Sequence, residues 1–285
     1  MIDQRALELK ANKIRQLVVE MLIDAGSGHT AGPLDLADIF ATLFFAVIKY
    51  DPNNPDWEER DRLVLSNGHT VPVLYASMAL AGYFPLAELR ELRKFGSRLQ
   101  GHPERVRLPG LETTSGPLGS GLSQAAGMAL GLKRDNKKNF VYVVNGDGEL
   151  QEGNIWEAVM FAGKYRLGNL ISIIDRNYIQ IDGMTEDVMP LEPLADKYQA
   201  FGWQVFEING HNPAEIYDAI AQAKAVQDKP SVIIARTIPG KGVDFIEFDY
   251  HWHGYDPDAS HARRDYQLAL KKLRSLDGRI KGEHQ

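Results

Sequence analysis

Short apolar runs alternate along the chain with longer segments whose apolar positions recur every three or four residues. The short runs are rich in Val, Ile and Leu and predict strands at 62–66, 140–144, 170–174, 203–208 and 231–236. Helical periodicity lies between them, and a strand–helix–strand unit of this size forms a right-handed parallel crossover. The pattern therefore predicts an α/β fold: one three-layer α/β/α domain over residues 1–285, with a mainly parallel sheet.

The helical segments differ in which sides are apolar. The first contains Ile14 and Leu22 on one apolar face and stops at Gly26, whereas the segment 34–48 is apolar on nearly all sides and is expected to be buried. A polar tail at 278–285 is expected to fray. Further helices are predicted at 70–81, 86–95, 116–132, 155–165, 192–201, 216–223 and 266–273.

Composition narrows the range of functions. The formal net charge is −6, without a dense run of Lys or Arg, which disfavours nucleic-acid binding. The absence of Cys excludes disulfides and thiolate chemistry and fits a cytoplasmic protein. The charged first residues lack the core of a signal peptide, and the longest apolar run, 39–48, is too short to span a bilayer. No membrane association is expected.

Two polar turns follow neighbouring strands of the predicted sheet. Asp147, between Gly146 and Gly148, follows the strand 140–144, and Asn177 follows the next strand. Both turns lie at the carboxyl edge, where strands about 4.8 Å apart bring them together. A carboxylate and an amide oxygen suit Mg²⁺ or Ca²⁺, with carbonyls, water and a diphosphate completing the shell. A surface Asp-Gly turn is the better reading of Gly-Asp-Gly alone, and Asn177 shifts the interpretation towards a metal–diphosphate site.

Other turns combine glycine with histidine. Histidine stands beside glycine at His29, His69 and His102, and each of these segments is predicted to be a loop. The third lies in the long stretch 96–116, and a loop of this length in a compact domain is usually functional. A further turn at 116–121 resembles a dinucleotide-binding glycine loop only weakly, because no strand precedes it.

These turns together resemble the transketolase family, over about residues 10–254. Any one of them is modest support, but their number and order make the resemblance specific. They are Ser27-Gly28-His29, Leu65-Ser66-Asn67-Gly68-His69, Gly101-His102-Pro103-Glu104, Gly116-Pro117-Leu118-Gly119, Gly146-Asp147-Gly148-Glu149-Leu150-Gln151-Glu152-Gly153, Asp175-Arg176-Asn177-Tyr178-Ile179-Gln180-Ile181-Asp182-Gly183 and His253-Gly254.

The resemblance implies a thiamine diphosphate-binding fold and thiamine diphosphate as the cofactor. The cofactor would be held through Mg²⁺, with Ca²⁺ or Mn²⁺ as alternatives, and the implied metal ligands are Asp147, Asn177 and the carbonyl of Ile179. The implied cofactor-binding residues are His69, Gly116, Leu118, Gly148, Glu149, Asn177, Ile181 and His253.

The same resemblance implies transfer of a two-carbon ketol unit from a ketose phosphate to an aldose phosphate, as in the pentose phosphate pathway. Each step moves protons on hydroxyl and alkoxide oxygens near neutral pH, for which imidazole is suited. Glu152 is expected at a subunit interface. The implied catalytic residues are His29, His69, His102, His253 and Glu152.

Each of these residues has a simpler alternative. A single loop histidine is more often solvated or a helix cap than catalytic, and Glu152 alone would be a solvated acid at a helix start. His251 and His253 could form a zinc pair, although no further ligands are evident nearby. Three other histidines are expected at the surface, namely His211, His261 and His284.

Two features depart from the family. Thr30 stands where proline usually follows the first histidine. Family members also continue into a pyrimidine-binding domain that carries the glutamate which activates the cofactor. The resemblance therefore implies the N-terminal subunit of a split transketolase, inactive without a separate C-terminal subunit, most simply in an α2β2 heterotetramer.

Alternatives remain for the reaction and its substrate. A 1-deoxyxylulose-5-phosphate synthase or a 2-oxo acid dehydrogenase α-subunit would share the Gly-Asp-Gly and Asn core. A split transketolase for an unusual sugar phosphate or a sulfonated sugar is a narrower variant. A non-catalytic cofactor-binding subunit is an alternative of another class, which the complete histidine set disfavours.

Overall fold

A computed structural model describes residues 2–254 and 262–282 of the chain. The strands are β1 (Arg62–Leu65), β2 (Val141–Gly146), β3 (Leu170–Arg176), β4 (Ile179–Gln180), β5 (Gly183–Met184), β6 (Gln204–Asn209) and β7 (Ser231–Arg236). The central sheet has five parallel strands in the order β1-β2-β3-β7-β6, and β4 and β5 form a separate antiparallel hairpin. The predicted mainly parallel sheet is confirmed.

Helices cover both faces of this sheet. The helices are α1 (Gln4–Ala25), α2 (Ala31–Asp35), α3 (Ala37–Thr42), α4 (Val71–Leu80), α5 (Ser120–Arg134), α6 (Gly153–Tyr165), α7 (Thr185–Val188), α8 (Leu194–Ala200), α9 (Pro213–Ala225) and α10 (Ala262–Lys281). Two separate clusters of buried apolar side chains pack these helices against the sheet, one with α1, α3, α4, α9 and α10 and the other with α5, α6 and α8. The predicted three-layer arrangement is therefore confirmed.

Two helix predictions are wrong in detail. The segment 34–48 is not one helix but α2, α3 and a π-helical turn at Leu43–Val47. Periodicity could not show these breaks because the segment is apolar on all sides. The segment 86–95 forms only a 3₁₀ turn at Leu86–Glu91, and Arg93 adopts a left-handed φ of 61°, which is incompatible with a continuing helix.

The fraying predicted from residue 278 is also wrong for the part of the tail that the structure describes. Helix α10 continues to Lys281 and packs along α1. Asp277 holds the two helices together, because its carboxylate accepts hydrogen bonds from Asn12 Nδ2 at 2.7 Å and Gln16 Nε2 at 3.0 Å. Among the described residues, no helix is long and apolar enough to cross a membrane.

The carboxyl edge of the sheet carries the polar turns. Strands β1, β2 and β3 run parallel and in adjacent positions, so the segments after Leu65, Gly146 and Arg176 emerge side by side. A backbone hydrogen bond of 3.1 Å from Asp147 N to the carbonyl of Asp175 joins the last two. The predicted convergence of these turns is confirmed.

Candidate functional site

A cavity of about 400 Å³ opens at the carboxyl edge of the sheet. Its size is in the range of small-molecule sites. Every residue for which the sequence predicted a site role lines it, although a place in the lining does not test the individual roles. These residues are His29, His69, His102, Gly116, Leu118, Asp147, Gly148, Glu149, Glu152, Asn177, Ile179, Ile181 and His253.

Asp147 is held by fixed donors. Its Oδ2 accepts hydrogen bonds from Arg176 Nη1 at 2.9 Å and from the backbone N–H of Tyr178 at 2.7 Å. Among the described residues, its Oδ1 accepts a single hydrogen bond, from the N–H of Gly148 at 2.8 Å. Burial raises the pKa of Asp147 to about 6, and Arg176 opposes this rise. Oδ1 is therefore the oxygen with a lone pair to spare for a cation.

Asn177 is oriented by two buried acids. Its Nδ2 donates to Asp35 Oδ2 at 3.0 Å and to Asp175 Oδ2 at 3.2 Å. Because both acceptors lie on the nitrogen side, Oδ1 must point the other way, where it accepts from Ile179 N at 3.1 Å. Burial, followed by the charge of Asp175, raises the pKa of Asp35 well above its ordinary value. Burial raises the pKa of Asp175 to about 7, so the two carboxyls can share a proton.

The sequence reasoning missed Asp35, which lies in a segment read simply as a buried apolar helix. It also assigned no role to Asn67, although this residue stands in one of the predicted turns. Asn67 lines the cavity and is buried, and its Oδ1 has no hydrogen-bond partner among the described residues. A polar residue inside an otherwise apolar run was the available signal for Asp35.

The donor set fits a divalent metal and a diphosphate. Among the described residues no three His, Cys, Asp or Glu side chains form a metal-binding group, so a cation here would need amide and carbonyl oxygens in addition to the Asp147 carboxylate. Such oxygen-rich sets suit Mg²⁺. The buried His29 Nδ1 and Asn67 Oδ1 have no partner in the described residues, and a Cβ on Gly116 would meet no atom within 4 Å. Polar atoms and open space are thus both present for a ligand.

Glu149 is tied to the protein rather than turned towards the cavity centre. Both of its carboxylate oxygens accept hydrogen bonds, and they connect the turns after β1 and β2 with the turn before α5. Burial raises the pKa of this side chain, and its four donors oppose the rise. The donors are Ser66 Oγ at 2.6 Å, Gly119 N at 2.7 Å, Asn145 Nδ2 at 3.0 Å and Gly146 N at 3.2 Å.

Three histidines of the cavity lining form a closed cluster. The ring centroids of His29 and His69 are 4.7 Å apart, and the ring of His253 lies 5.3 Å from the first and 5.2 Å from the second. The backbone brings the distant members together, because residues 29 and 254 form an isolated antiparallel bridge. The N–H of Thr30 donates a hydrogen bond to the carbonyl of His253 and so extends this bridge. The hydroxyl of Thr30 forms a second hydrogen bond, with the hydroxyl of Tyr266.

These imidazoles are neutral at pH 7. Burial, followed by the charges of His253, His102 and Arg93, lowers the pKa of His29 to about 4. Burial lowers the pKa of His69 well below its ordinary value, and burial also lowers that of His253. For His102 the causes of the lowered pKa are burial and then the charge of Arg93. Neutral rings can both accept and donate a proton.

The cavity mouth is apolar and exposed. Ile181 is 67% exposed and Leu118 is 36% exposed, which are high values for large apolar side chains. Glu152 also lies on the surface, at the start of α6, where its side chain makes no capping hydrogen bond. The mouth therefore presents apolar side chains and an acid to solvent.

The histidines outside the cluster differ in part from the positions that the sequence predicted. The surface position predicted for His211 is wrong: its side chain is only 10% exposed, its Nδ1–H donates to Asp38 Oδ2 at 2.8 Å, and its Nε2 accepts from Ile238 N at 2.8 Å. His261 and His284 lie outside the described residues. The zinc pair considered for His251 and His253 gains no third ligand among the residues that the structure describes.

Parallel strands that end in polar turns, with a cluster of neutral imidazoles in the same cavity, define the class of an enzyme with a cofactor site at the carboxyl edge of its sheet. Comparison with known proteins identifies the family. The profile described as "Transketolase, thiamine diphosphate binding domain" matches residues 6–267. The chain belongs to the transketolase family and has the fold of its thiamine diphosphate-binding domain.

Similar proteins fall into two size groups. The chain is 50% identical over 245 residues, 86% of its length and 89% of the relative's, to the 6-deoxy-6-sulfo-D-fructose transketolase subunit SqwG of Clostridium sp. (strain MSTE9). It is 38% identical over 277 residues to one subunit of the apulose-4-phosphate transketolase of Phocaeicola vulgatus, covering 97% of this chain and 98% of that one.

The second group is longer. The transketolase of Rattus norvegicus is 42% identical over 258 residues, which cover 88% of this chain and 40% of the relative. The crystal structure of the transketolase from Campylobacter jejuni superposes with a TM-score of 0.84 at 34% identity, over 99% of this chain and 48% of that one. The chain thus spans about half the length of such transketolases.

Proposed function

We propose that this chain is the thiamine diphosphate-binding subunit of a two-chain transketolase, which transfers a two-carbon ketol unit from a ketose phosphate to an aldose phosphate. The observation that carries the proposal is the convergence of Asp147, Asn177 and three neutral imidazoles on one cavity. Relatives that match over nearly their full length and are named as transketolase subunits support the two-chain arrangement.

The metal would be Mg²⁺, bound by Asp147 Oδ1, Asn177 Oδ1 and the carbonyl of Ile179. The fixed orientations of the first two side chains support this assignment. Thiamine diphosphate, when bound, supplies the carbanion chemistry that cleaves and forms the C–C bond. Gly148 would let the diphosphate approach the backbone, and the aminopyrimidine would lie near Gly116 and Leu118.

The histidines would manage protons and orient the sugar. Neutral His29 and His253 can hydrogen-bond to hydroxyl groups of the substrate and exchange protons with oxygens whose charge changes during the reaction. His69 is the most deeply placed of the cluster and would hold the diphosphate side. His102, on the loop 96–116, would contact the sugar further from the cofactor.

A separate C-terminal subunit would complete the enzyme, most simply as an α2β2 heterotetramer in the cytoplasm. It would cover the apolar mouth at Leu118 and Ile181, contact Glu152, and provide the glutamate that activates the cofactor. The exposure of these apolar side chains supports a covering partner. The histidine cluster favours this reaction over that of a 2-oxo acid dehydrogenase subunit.

Reconstitution tests the proposal. The chain is mixed with its candidate partner, Mg²⁺ and thiamine diphosphate, and transfer from xylulose 5-phosphate to ribose 5-phosphate is measured. Fructose 6-phosphate and 6-deoxy-6-sulfo-D-fructose serve as further donors. Turnover that requires both chains is the expected result. Full activity of this chain alone, or binding without turnover of any donor, would contradict the proposal.

The metal site has its own test. Asp147→Ala is expected to abolish Mg²⁺-dependent binding of thiamine diphosphate, measured by calorimetry on the chain with and without its partner. Asp187→Ala removes a carboxylate from the exposed helix α7 and is the matched control, expected to bind normally. Retained metal-dependent binding in Asp147→Ala would refute the assigned site.

A further inference from the structure

His211 is a largely buried histidine that lies outside the cavity lining, in the turn between β6 and α9. Its two ring nitrogens have different partners. Nδ1 lies 2.8 Å from Asp38 Oδ2, and Nε2 accepts a hydrogen bond of 2.8 Å from the N–H of Ile238. A ring with both nitrogens engaged is held in a single orientation, so this histidine connects its two partners rigidly.

These partners also define the protonation state of the ring. A backbone N–H can only donate, so Nε2 of His211 must be the unprotonated nitrogen, and Nδ1 carries the proton that is donated to Asp38. Burial opposes ionisation of Asp38, but the charge of Arg15 and the hydrogen bond from His211 together lower its pKa. Burial lowers the pKa of His211. At pH 7 the pair is therefore a neutral imidazole and a carboxylate.

Asp38 connects His211 with the part of the chain that carries His29. The carboxylate lies in the first turn of α3 and is also ion-paired with Arg15 of α1. Arg15 Nε donates to the carbonyl of Leu34 in α2 at 2.9 Å, and α2 comes just after His29 in the sequence. One buried network thus joins α1, α2 and α3 to the turn at His211.

The other nitrogen of the ring reaches the part of the chain that carries His253. Ile238 lies just after β7, at the start of the segment 237–254. Gly210, the neighbour of His211, donates from its N–H to the last carbonyl of β7 at 2.9 Å. A Cβ at this glycine would lie only 3.2 Å from the same carbonyl oxygen. The turn therefore approaches the start of the segment closely enough for Nε2 to bind its backbone.

The segment 237–254 is folded on itself. A hydrogen bond of 3.3 Å joins the N–H of Phe248 to the carbonyl of Pro239, and two apolar side chains between these residues are completely buried. The bridge described above holds the far end of the segment. Because closely packed structure transmits strain, a displacement of Ile238 is passed on to His253.

We propose that His211 is a positioning residue, which sets the place of His253 relative to His29 through the backbone of Ile238. This inference rests on the proposed function, because that function gives the two cavity histidines their task. The ring acts through its acceptor Nε2, and Asp38 acts by keeping the proton on Nδ1. Without this acceptor, a partly buried N–H loses its partner and the segment shifts to find another.

The tautomer is tested in the wild-type chain, where no substitution can disturb folding. The nitrogen chemical shifts of the His211 ring at pH 7 are expected to show a protonated Nδ1 and an unprotonated Nε2. The opposite tautomer or an imidazolium would overturn the proposal, because neither can accept a hydrogen bond from Ile238.

Two substitutions test the effect on the cluster in the isolated chain. His211→Phe keeps a ring without an acceptor, whereas His211→Gln keeps an acceptor oxygen. Burial, followed by the charge of His253 among others, lowers the pKa of His29 to about 4 in the wild type. This pKa, followed through the ring proton signals by NMR, is expected to rise towards 6.5 in His211→Phe and to stay low in His211→Gln. An unchanged pKa in His211→Phe, or the same rise in both variants, would overturn the proposal.

Turnover by the two-chain enzyme gives a second measurement. We expect kcat to fall about 10- to 100-fold in His211→Phe and to stay within about threefold of the wild type in His211→Gln, because a displacement of about 1 Å in a reacting group can cost 100-fold. His251→Phe is the matched control, since His251 also pairs with an aspartate, at 2.7 Å, but is 70% exposed.

An equal fall of kcat in His251→Phe, or no fall in His211→Phe, would overturn the role of His211. A wild-type complex that turns over no donor would contradict the proposed function instead. The NMR measurements on the isolated chain need no turnover, and they still confirm or refute the positioning of His253 in that case.

Discussion

The neutral histidine cluster predicts a specific dependence of stability on pH. The pKa of His29 is about 4 in the folded chain, against 6.5 in the unfolded one. Between these values the unfolded state binds the additional proton, so the free energy of unfolding falls as pH falls from 6.5 towards 4. Each pH unit in this window costs about 1.4 kcal/mol, which gives about 2 kcal/mol for His29 at pH 5.

The perturbation is His29→Gln, which removes the titrating ring and keeps a polar amide. The free energy of unfolding is measured by urea denaturation of the chain between pH 7.5 and pH 5. We expect the wild type to lose about 2 kcal/mol more than the variant over this range. His251→Gln removes an exposed histidine of the same segment as His253 and is expected to follow the wild type.

The comparison between variants removes opposing contributions. Burial raises the pKa of Asp147 to about 6 and that of Asp175 to about 7, so these carboxyls stabilise the fold as pH falls through the same range. They are present in both proteins and cancel in the difference. Parallel pH profiles for wild type and His29→Gln would refute the conclusion that burial keeps this imidazole neutral.

Three further predictions concern the supports of the site. Glu149→Gln turns two acceptor contacts into donor–donor contacts, and we expect the free energy of unfolding to fall by about 2–4 kcal/mol, measured by urea denaturation. An unchanged denaturation midpoint would contradict the structural role of Glu149. Arg176→Gln leaves Asp147 without its buried partner, and we expect at least a tenfold loss of Mg²⁺ affinity, measured by calorimetry. Arg236→Gln changes an exposed arginine that is also paired with an acid, and it is the control. Asp277→Ala removes the carboxylate that accepts hydrogen bonds from Asn12 and Gln16, and we expect faster hydrogen exchange at residues 278–281 while α1 stays protected. Exchange rates equal to those of the wild type would show that packing alone holds the end of α10.

The sequence predicted the fold well where local patterns decide it. The five central strands were predicted from short runs rich in Val, Ile and Leu, and such runs have few alternatives in a parallel sheet. The hairpin of β4 and β5 was not predicted, because each strand has two residues and carries no periodicity. The end of α10 was misjudged because its stabilising contacts come from α1, at the other end of the sequence.

The cavity-lining residues were also predictable from local sequence patterns, but the residues that hold them in place were not. Glycine-containing polar turns after strands indicate ligand positions, and all the residues proposed from them line one cavity. The hydrogen bonds that orient these residues were not predictable, because their partners are distant in the sequence: Glu149 binds Ser66, and Asn177 binds Asp35. His211 was misplaced because only the tertiary structure brings it to Asp38.

The bridge between residues 29 and 254 determines when the site can form during synthesis. His29 leaves the ribosome early, and His253 emerges only after the whole sheet has been made. Contacts of such long sequence separation form late, because the intervening chain must be ordered first. A nascent chain that already carries Asp147 and Asn177 would therefore lack His253, and its apolar mouth would be exposed beside an incomplete histidine cluster.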